Sequence, residues 1–321
     1  MSRRIELPEA AQRLLERDHI LILTHRRPDG DTIGSAAALC RVLRALGKDA
    51  WVFANEDITP KLSFLLEGLV APEGYLYGLL TAVDIADTQL LPPSARQFAE
   101  KIDLCLDHHP SNRDYARETV LHGSAAATGE IVYLLARELG VEPDLPIWEA
   151  LYIAVATDTG CFKFSNTTPL AHCIAADAIA AGLDFLPHNR AFFEVKSRVR
   201  FLIERRMFDD MVFSEDGRVC CSWLERDWLN SIGATDDDLD NLSTLTMSLE
   251  GVDCGIILTQ NRQDPAYKAS VRTHRPADAS RICQRFGGGG HPRAAGCTVE
   301  LSAREACEAL MAAAAEELAR W

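Results

Sequence analysis

The sequence predicts an α/β protein: an N-terminal doubly wound, mostly parallel sheet followed by a smaller α/β C-terminal domain. Three observations carry this. In the first half, short apolar runs alternate with helical patterns in the βαβα rhythm of a parallel sheet. Clusters of Asp and His recur where apolar segments end, which is where open α/β sheets gather their chemistry. Beyond Pro187 the rhythm changes to a charged helical stretch and paired strands, so 321 residues with 47% hydrophobic content divide into two cores.

Residues 8 to 18 read as a helix entered through Pro8, 19 to 24 as a buried strand, 33 to 46 as a helix closed by Gly47, and 49 to 54 as a strand. Thr59 and Pro60 open a helix running to 67. Leu79 to Ile85 and Ile102 to Leu106 read as strands that run into acidic residues. Helices are expected at 125 to 139, 146 to 157 and 168 to 181. The boundaries predicted are 1–187 for the first domain, 188–208 for an exposed linking helix and 209–321 for the second domain. In the latter, strands at 210 to 214 and 218 to 224 flank the hairpin signal Asp216-Gly217. A helix opens at Thr235, strands follow at 252 to 260 and 266 to 273, and a helix at 277 to 285 leads into four glycines. A strand to Glu300 and a helix from Ser302 complete the pattern.

A formal net charge of -14 excludes a protein that wraps long duplex DNA, which needs clustered Lys and Arg. It leaves room for a small phosphorylated substrate, because bound divalent ions reverse the local field. The first nine residues lack the apolar core of a signal peptide, and no apolar run reaches the roughly 18 residues that span a bilayer. The expectation is a cytoplasmic protein without a membrane partner. None of the ten cysteines forms a Cys-x-x-Cys pair; Cys105, Cys161, Cys173 and Cys254 read as buried small hydrophobes, and Cys220 and Cys221 as two faces of one strand.

Residues 24 to 35 place His25, Asp29 and Asp31 in a turn bent by Pro28 and Gly30. Asp84 with Asp87, then Asp107-His108-His109, then Asp158 end later apolar segments. Taken singly, such residues are turn formers, helix caps or solvated pairs. Taken together, they occupy positions that converge on one edge of a sheet. Carboxylates and imidazoles without thiolates suit a hard to intermediate divalent ion, and the histidines favour manganese over magnesium or calcium. Two ions about 3.5–4 Å apart need a bridging carboxylate and activate a water for phosphoester hydrolysis. Gly287 to Gly290, beside His291 and Arg293, expose backbone N–H groups that can surround an anion, with Arg272 on the preceding strand. His291 can stack on a base or bond a phosphate. His19, His122, His172, His188 and His274 stand alone and carry no site role.

The stretches His25-x-x-Pro-Asp29-Gly-Asp31-x-x-Gly34-Ser35, Val83-Asp84, Asp107-His108-His109 and Ala156-Thr157-Asp158-Thr159-Gly160 resemble, in order, the four motifs of DHH-family phosphoesterases. Ser124-Ala-Ala-Ala-Thr128-Gly129-Glu130 and Gly-Gly-Gly-Gly-His291 resemble the branch carrying a DHHA1 domain, and the whole chain is similar to its nanoRNase and pAp phosphatase group. The resemblance implies one metal on His25, Asp29 and Asp84, and a second on Asp31, Asp84, His108 and Asp158. Asp84 then bridges, His109 acts on the substrate side, and Asp107 orients His108 from behind. Gly288, Gly289, Gly290, His291, Arg293 and Arg272 are implied substrate contacts, in a cleft between the domains. Relatives often carry Thr after the second-motif aspartate and Arg a few residues on. Here Ile85 stands in the first place and no Arg follows until Arg96, with Arg26 and Arg27 as the cations able to compensate.

The implied activity is manganese-dependent hydrolysis, magnesium being an alternative ion, of single-stranded oligoribonucleotides of about two to five units, and of pAp. The nearest alternative is a phosphodiesterase for c-di-AMP or its linear product pApA. Inorganic pyrophosphate or polyphosphate fits the glycine-rich motif less well. From another class, a non-catalytic nucleotide-binding module is weighed against the enzyme, and all six implied ligands are present. The family also suggests a homodimer.

Overall fold

The computed structural model describes residues 2–235, 237–239, 241–261, 265–274 and 276–321. Its first compact unit ends at Val195 and its second begins at Lys196. In the first, the chain runs β1 (Arg3–Arg4), α1 (Leu7–Glu16), β2 (Ile20–Leu23), α2 (Gly30–Ala45), β3 (Ala50–Val52), α3 (Pro60–Ser63), β4 (Leu79–Val83), β5 (Leu104–Asp107), β6 (Glu118–Leu121), α4 (Thr128–Glu138), α5 (Leu145–Asp158), α6 (Pro169–Ala180) and α7 (Leu186–Asn189). The strands form one sheet in the order β1-β6-β5-β4-β2-β3, with every pair parallel.

Successive strand side chains point to opposite faces, and both faces are covered. Ile20 and Ile22 join the core under the helices, while Leu21 and Leu23 join a second cluster with Leu80, Ile85 and Phe98. Burial on both sides is why these strands read as unbroken apolar runs. After β2 the chain steps outward to β3 and then returns to β4 on the other side of β2. That reversal opens a crevice at the carboxyl ends of β2 and β4.

The turn at 28 to 30 differs from expectation. The helix begins at Gly30 rather than at 33, with Asp29 as its N-cap. Gly30 is needed for packing: a Cβ there would lie 2.4 Å from Thr157 Oγ1 on α5. Gly34 is under the same constraint, its Cβ falling 2.5 Å from the Ala150 carbonyl. Two glycines one helical turn apart thus let α2 lie directly on α5, whose residues 150 to 156 are all buried. Strand β6 lies outside the sequence expectation because Glu-Thr-Val-Leu has too little apolar pattern to announce itself. Residues 59 to 67 hold a short α-turn and a 3-10 turn in place of one helix.

The second unit comprises α8 (Arg198–Asp209), β7 (Val212–Phe213), β8 (Val219–Leu224), α9 (Arg226–Ser231), α10 (Leu242–Thr246), β9 (Cys254–Gln260), β10 (Tyr267–Thr273), α11 (Ala279–Gln284), β11 (Gly289–His291), β12 (Ala294–Val299) and α12 (Ala303–Leu318). Its sheet has the order β11-β12-β10-β9-β8-β7 and is antiparallel except for β8 with β9. The stretch 190 to 208 is not one exposed helix. A π-turn at Arg190–Glu194 stops at extended Val195, and α8 restarts after its N-cap Ser197. Ile203 and Met207 of α8 are buried against Leu224, Leu229 and Ile257. The helix expected from Thr235 is a 3-10 turn and α10, residues 236 and 240 lying outside the described residues. All ten cysteines are free thiols; eight are buried, but Cys161 is only half-buried, and Cys173 is exposed because α6 turns Ala171, Ile174, Ala175 and Ala178 inward instead. Among the described residues, no helix is long and apolar enough to cross a membrane.

Candidate metal centre

The six expected ligands converge around the crevice beyond β2 and β4. Asp29 caps α2, its Oδ1 accepting from the N–H groups of Asp31 and Thr32 at 3.1 Å each. Asp31, one residue into the helix, is 1% exposed. Its oxygens accept from Ser35 Oγ at 2.9 Å, Thr128 N at 2.7 Å and Gly129 N at 3.0 Å. The amino end of α4 therefore supports this carboxylate with backbone donors and its dipole. Asp84 directly follows β4 in the left-handed region, φ +61, which costs a non-glycine residue on the order of 1 kcal/mol. Asp158 is the last residue of α5.

Both imidazoles are oriented by carbonyls, which only accept. His25 Nδ1–H donates to its neighbour Arg26 O at 2.8 Å, and His108 Nδ1–H donates to Ala125 O at 3.1 Å. That leaves both Nε2 atoms facing the carboxylates, as in metal-bound histidines. His25 Nε2 lies 3.7 Å from Asp29 Oδ1 and 3.6 Å from Asp84 Oδ2. His108 Nε2 lies 3.7 Å from Asp84 Oδ1, 3.4 Å from Asp158 Oδ2 and 3.9 Å from Asp31 Oδ2. Three overlapping groups could hold an ion, His25-Asp29-Asp84, Asp31-His108-Asp158 and Asp84-His108-His109, and Asp84 faces His25 with one oxygen and His108 with the other. His109 also approaches Asp84, at 3.5 Å.

The electrostatics show what the cluster is suited to hold. Burial, then the charges of Asp84, Asp158 and Asp29, push the Asp31 pKa well above the usual carboxylate range. Asp158 is pushed up to about 6, first by burial and then by Asp84 and Asp29, although His108 opposes the shift. Burial opposes a charged His25, yet facing Asp29 and Asp84 outweigh it and raise its pKa to about 11. Asp29 is held below its ordinary value because His25 outweighs the effect of burial. Four carboxylates crowded against two imidazoles, without thiolates, fit a pair of divalent cations of the manganese or magnesium type.

Residues 19–156 match the model of the DHH family N-terminal domain, and residues 216–320 match that of the DHHA1 domain. The bifunctional oligoribonuclease and PAP phosphatase NrnA of Thermus thermophilus is 30% identical over 318 residues, covering 94% of this chain and 90% of the relative. The chain belongs to the DHH family. The DHH fold recurs in an exopolyphosphatase-related protein from Bacteroides fragilis, with a TM-score of 0.84 at 20% identity, over 97% of this chain and 96% of that one. It recurs also in exonuclease RecJ bound to manganese, with a TM-score of 0.56 at 15% identity, over 98% and 94% of the two chains.

Around the DHH centre, two expectations change. Asp107 grips His109 rather than His108: its Oδ1 accepts from His109 Nδ1 at 2.8 Å and from His109 N at 3.2 Å. The Asp107 carboxylate takes both the backbone N–H and the ring of His109 two residues on, while His108 Nδ1 is directed to Ala125 O. The Asp107 hydrogen bond is the main cause that raises His109 to about 9, with burial opposing and Asp84 adding to it. Asp87, by contrast, caps the 3-10 turn Thr88–Leu90 and takes no part in the cluster.

The glycine run is the second change. Gly289–His291 is an edge strand, pairing with Ala294–Gly296, rather than an open loop. A Cβ on Gly288 would meet the Gly296 carbonyl at 2.2 Å and one on Gly290 the Ala294 carbonyl at 2.7 Å, so these two glycines serve close strand approach. Arg293 Nη1 donates to Ala277 O at 2.6 Å, His291 is exposed, and Arg272 on β10 is half-buried. Burial lowers the Arg272 pKa, and its Nη1 donates to Val271 O at 3.3 Å. Arg26 and Arg27 are both exposed.

Sequence reasoning assigned no role to Thr128, Ser35 or Asn112. Thr128 Oγ1 donates to Asp84 Oδ1 at 2.9 Å, and Asn112 Nδ2 donates to Asp107 Oδ2 at 2.5 Å. Ser35 had a readable signal, one helical turn beyond Asp31 on the same face of α2. Thr128 and Asn112 reach their partners only through the fold.

Proposed function

We propose that this chain is a two-metal phosphoesterase, loaded with manganese, that hydrolyses very short oligoribonucleotides to mononucleotides and removes phosphate from pAp. The observation that carries the reading is that the two oxygens of Asp84 face His25 and His108, which belong to different ligand groups. His25, Asp29 and Asp84 would hold one ion, and Asp31, Asp84, His108 and Asp158 the other. When bound, the pair polarises the phosphate and supplies a nucleophile from water near neutral pH. His109, held through Nδ1 by Asp107, keeps Nε2 free for the substrate, and its raised pKa favours the protonated form that can donate to the leaving oxygen. Arg272, His291, Arg293 and the Gly288 to Gly290 backbone are the proposed grip on a terminal phosphate. The oligoribonuclease and PAP phosphatase named above supports the substrate class.

Turnover of a 5'-phosphorylated diribonucleotide, pAp and c-di-AMP, measured in manganese with an Asp84→Asn control, tests the proposal. Loss of the dinucleotide or pAp, abolished in the control, is the expected result. Turnover of c-di-AMP alone would move the chain to the cyclic dinucleotide phosphodiesterases. Nucleotide binding without turnover of any of the three would make it a binding module.

A further inference from the structure

Asp84 is held in its left-handed conformation from three sides by groups that are not metal ligands. Its N–H donates to Leu106 O on β5 at 2.9 Å, fixing the peptide that enters the turn. On the exit side, the Ile85 carbonyl accepts from Tyr115 Oη–H at 2.7 Å and from Asn112 Nδ2 at 3.3 Å. The side chain itself accepts the Thr128 hydroxyl at Oδ1, with Oδ2 left toward His25. Thr128 and Asn112 are buried and Tyr115 is half-buried, so none of these bonds competes freely with water.

The two side-chain anchors also tie Asp84 to the rest of the centre. Thr128 donates its backbone N–H to Asp31 while its hydroxyl serves Asp84, so one residue sets the spacing of two carboxylates. Asn112 donates to Ile85 O and to Asp107 Oδ2, linking the Asp84 turn to the residue that orients His109. A carboxylate that would bridge two ions has to be held in one orientation, and a free aspartate rotates about χ1 and χ2.

We infer that Thr128 and Tyr115 are positioning residues: Thr128 fixes the Asp84 carboxylate and Tyr115 holds the Ile85 carbonyl on the exit side of the left-handed turn, and together they make Asp84 a rigid bridge. The inference rests on the reading of Asp84 as the bridging ligand. It predicts that losing either hydroxyl weakens metal binding and turnover while leaving substrate binding nearly unchanged.

The test uses Thr128→Val, Thr128→Ser and Tyr115→Phe in the full chain, with wild type and Asp84→Asn alongside. Calorimetric titration with Mn2+ reads affinity and stoichiometry, steady-state kinetics separate kcat from KM, and melting in EDTA reports on folding. Thr128→Val and Tyr115→Phe are expected to bind manganese about 10–100-fold more weakly. Their kcat at saturating metal should fall with KM within about twofold, and Thr128→Ser should restore both affinity and kcat. If wild type binds two ions, Asp84→Asn loses them, and Thr128→Val and Tyr115→Phe match wild type, the positioning role is overturned and the bridge stands. If Asp84→Asn binds as wild type does, the bridging reading itself fails. Equal loss in Thr128→Val and Thr128→Ser, with both melting well below wild type in EDTA, would also overturn the inference by showing that the residue serves packing alone.

Discussion

Replacing Asp158 by Asn separates what the centre does for stability from what it does for function. In the metal-free protein this carboxyl is pushed up from 3.8 to about 6 by burial and by Asp84 and Asp29. A folded-state pKa above the unfolded value means that the ionised form is disfavoured by folding. No penalty exists below pH 3.8; it grows as pH rises toward 6 and is constant above that. At about 1.4 kcal/mol per pH unit the ceiling is about 3 kcal/mol, of which about 1–2 kcal/mol should belong to Asp158 alone because Asp31 shares the repulsion. Asparagine keeps the shape and removes the charge. In EDTA at pH 7, Asp158→Asn should melt about 3–6 °C above wild type, and the gap should close toward pH 4. In saturating manganese the order should reverse, since the variant loses a ligand and the stabilisation that comes with a bound ion. His25 does not confuse the pH series: with its pKa raised to about 11 its contribution is fully present below pH 6.5 and is lost only on the alkaline side. Melting by scanning calorimetry is the assay. A variant that melts below wild type in EDTA at pH 7, or a gap unchanged between pH 4 and 7, would refute the electrostatic account.

Three further outcomes follow from the geometry. His109→Gln should retain manganese binding and lose about 10²–10⁴-fold in kcat, checked by titration and steady-state kinetics. Gly34→Ala drives a methyl against the Ala150 carbonyl and should destabilise the protein by about 1–3 kcal/mol, read by denaturant unfolding. Gly288→Ala collides with the Gly296 carbonyl and should raise KM for the dinucleotide without changing manganese affinity.

The parallel sheet was legible because both faces of β2, β4 and β5 are buried, so each is an apolar run, β4 and β5 running into Asp84 and Asp107 and β2 into Thr24-His25. The convergence of the Asp and His clusters was legible for the same reason: the carboxyl ends of adjacent parallel strands meet at one edge, so His25, Asp84 and His108 come together by topology. Residues whose task depends on a distant partner were not legible. Gly30 read as a turn residue, and the packing need at Gly34 within the predicted helix went unseen, because Thr157 and Ala150, which they avoid, come from a helix far along the chain. Which histidine Asp107 holds was not legible because His108 is taken by the carbonyl of Ala125, 17 residues further along the chain. The four glycines read as an open anion loop, and only pairing with β12 makes them an edge strand. Helix α8 read as exposed because its arginines dominate the count, while Ile203 and Met207 carry its packing.

The most direct measurement is the number of manganese ions bound per chain by metal-stripped protein, by calorimetry with elemental analysis, in wild type and Asp84→Asn. A bridging Asp84 predicts two ions in wild type and loss of tight binding at both positions in the variant. One ion in wild type, or two undiminished in Asp84→Asn, would contradict it.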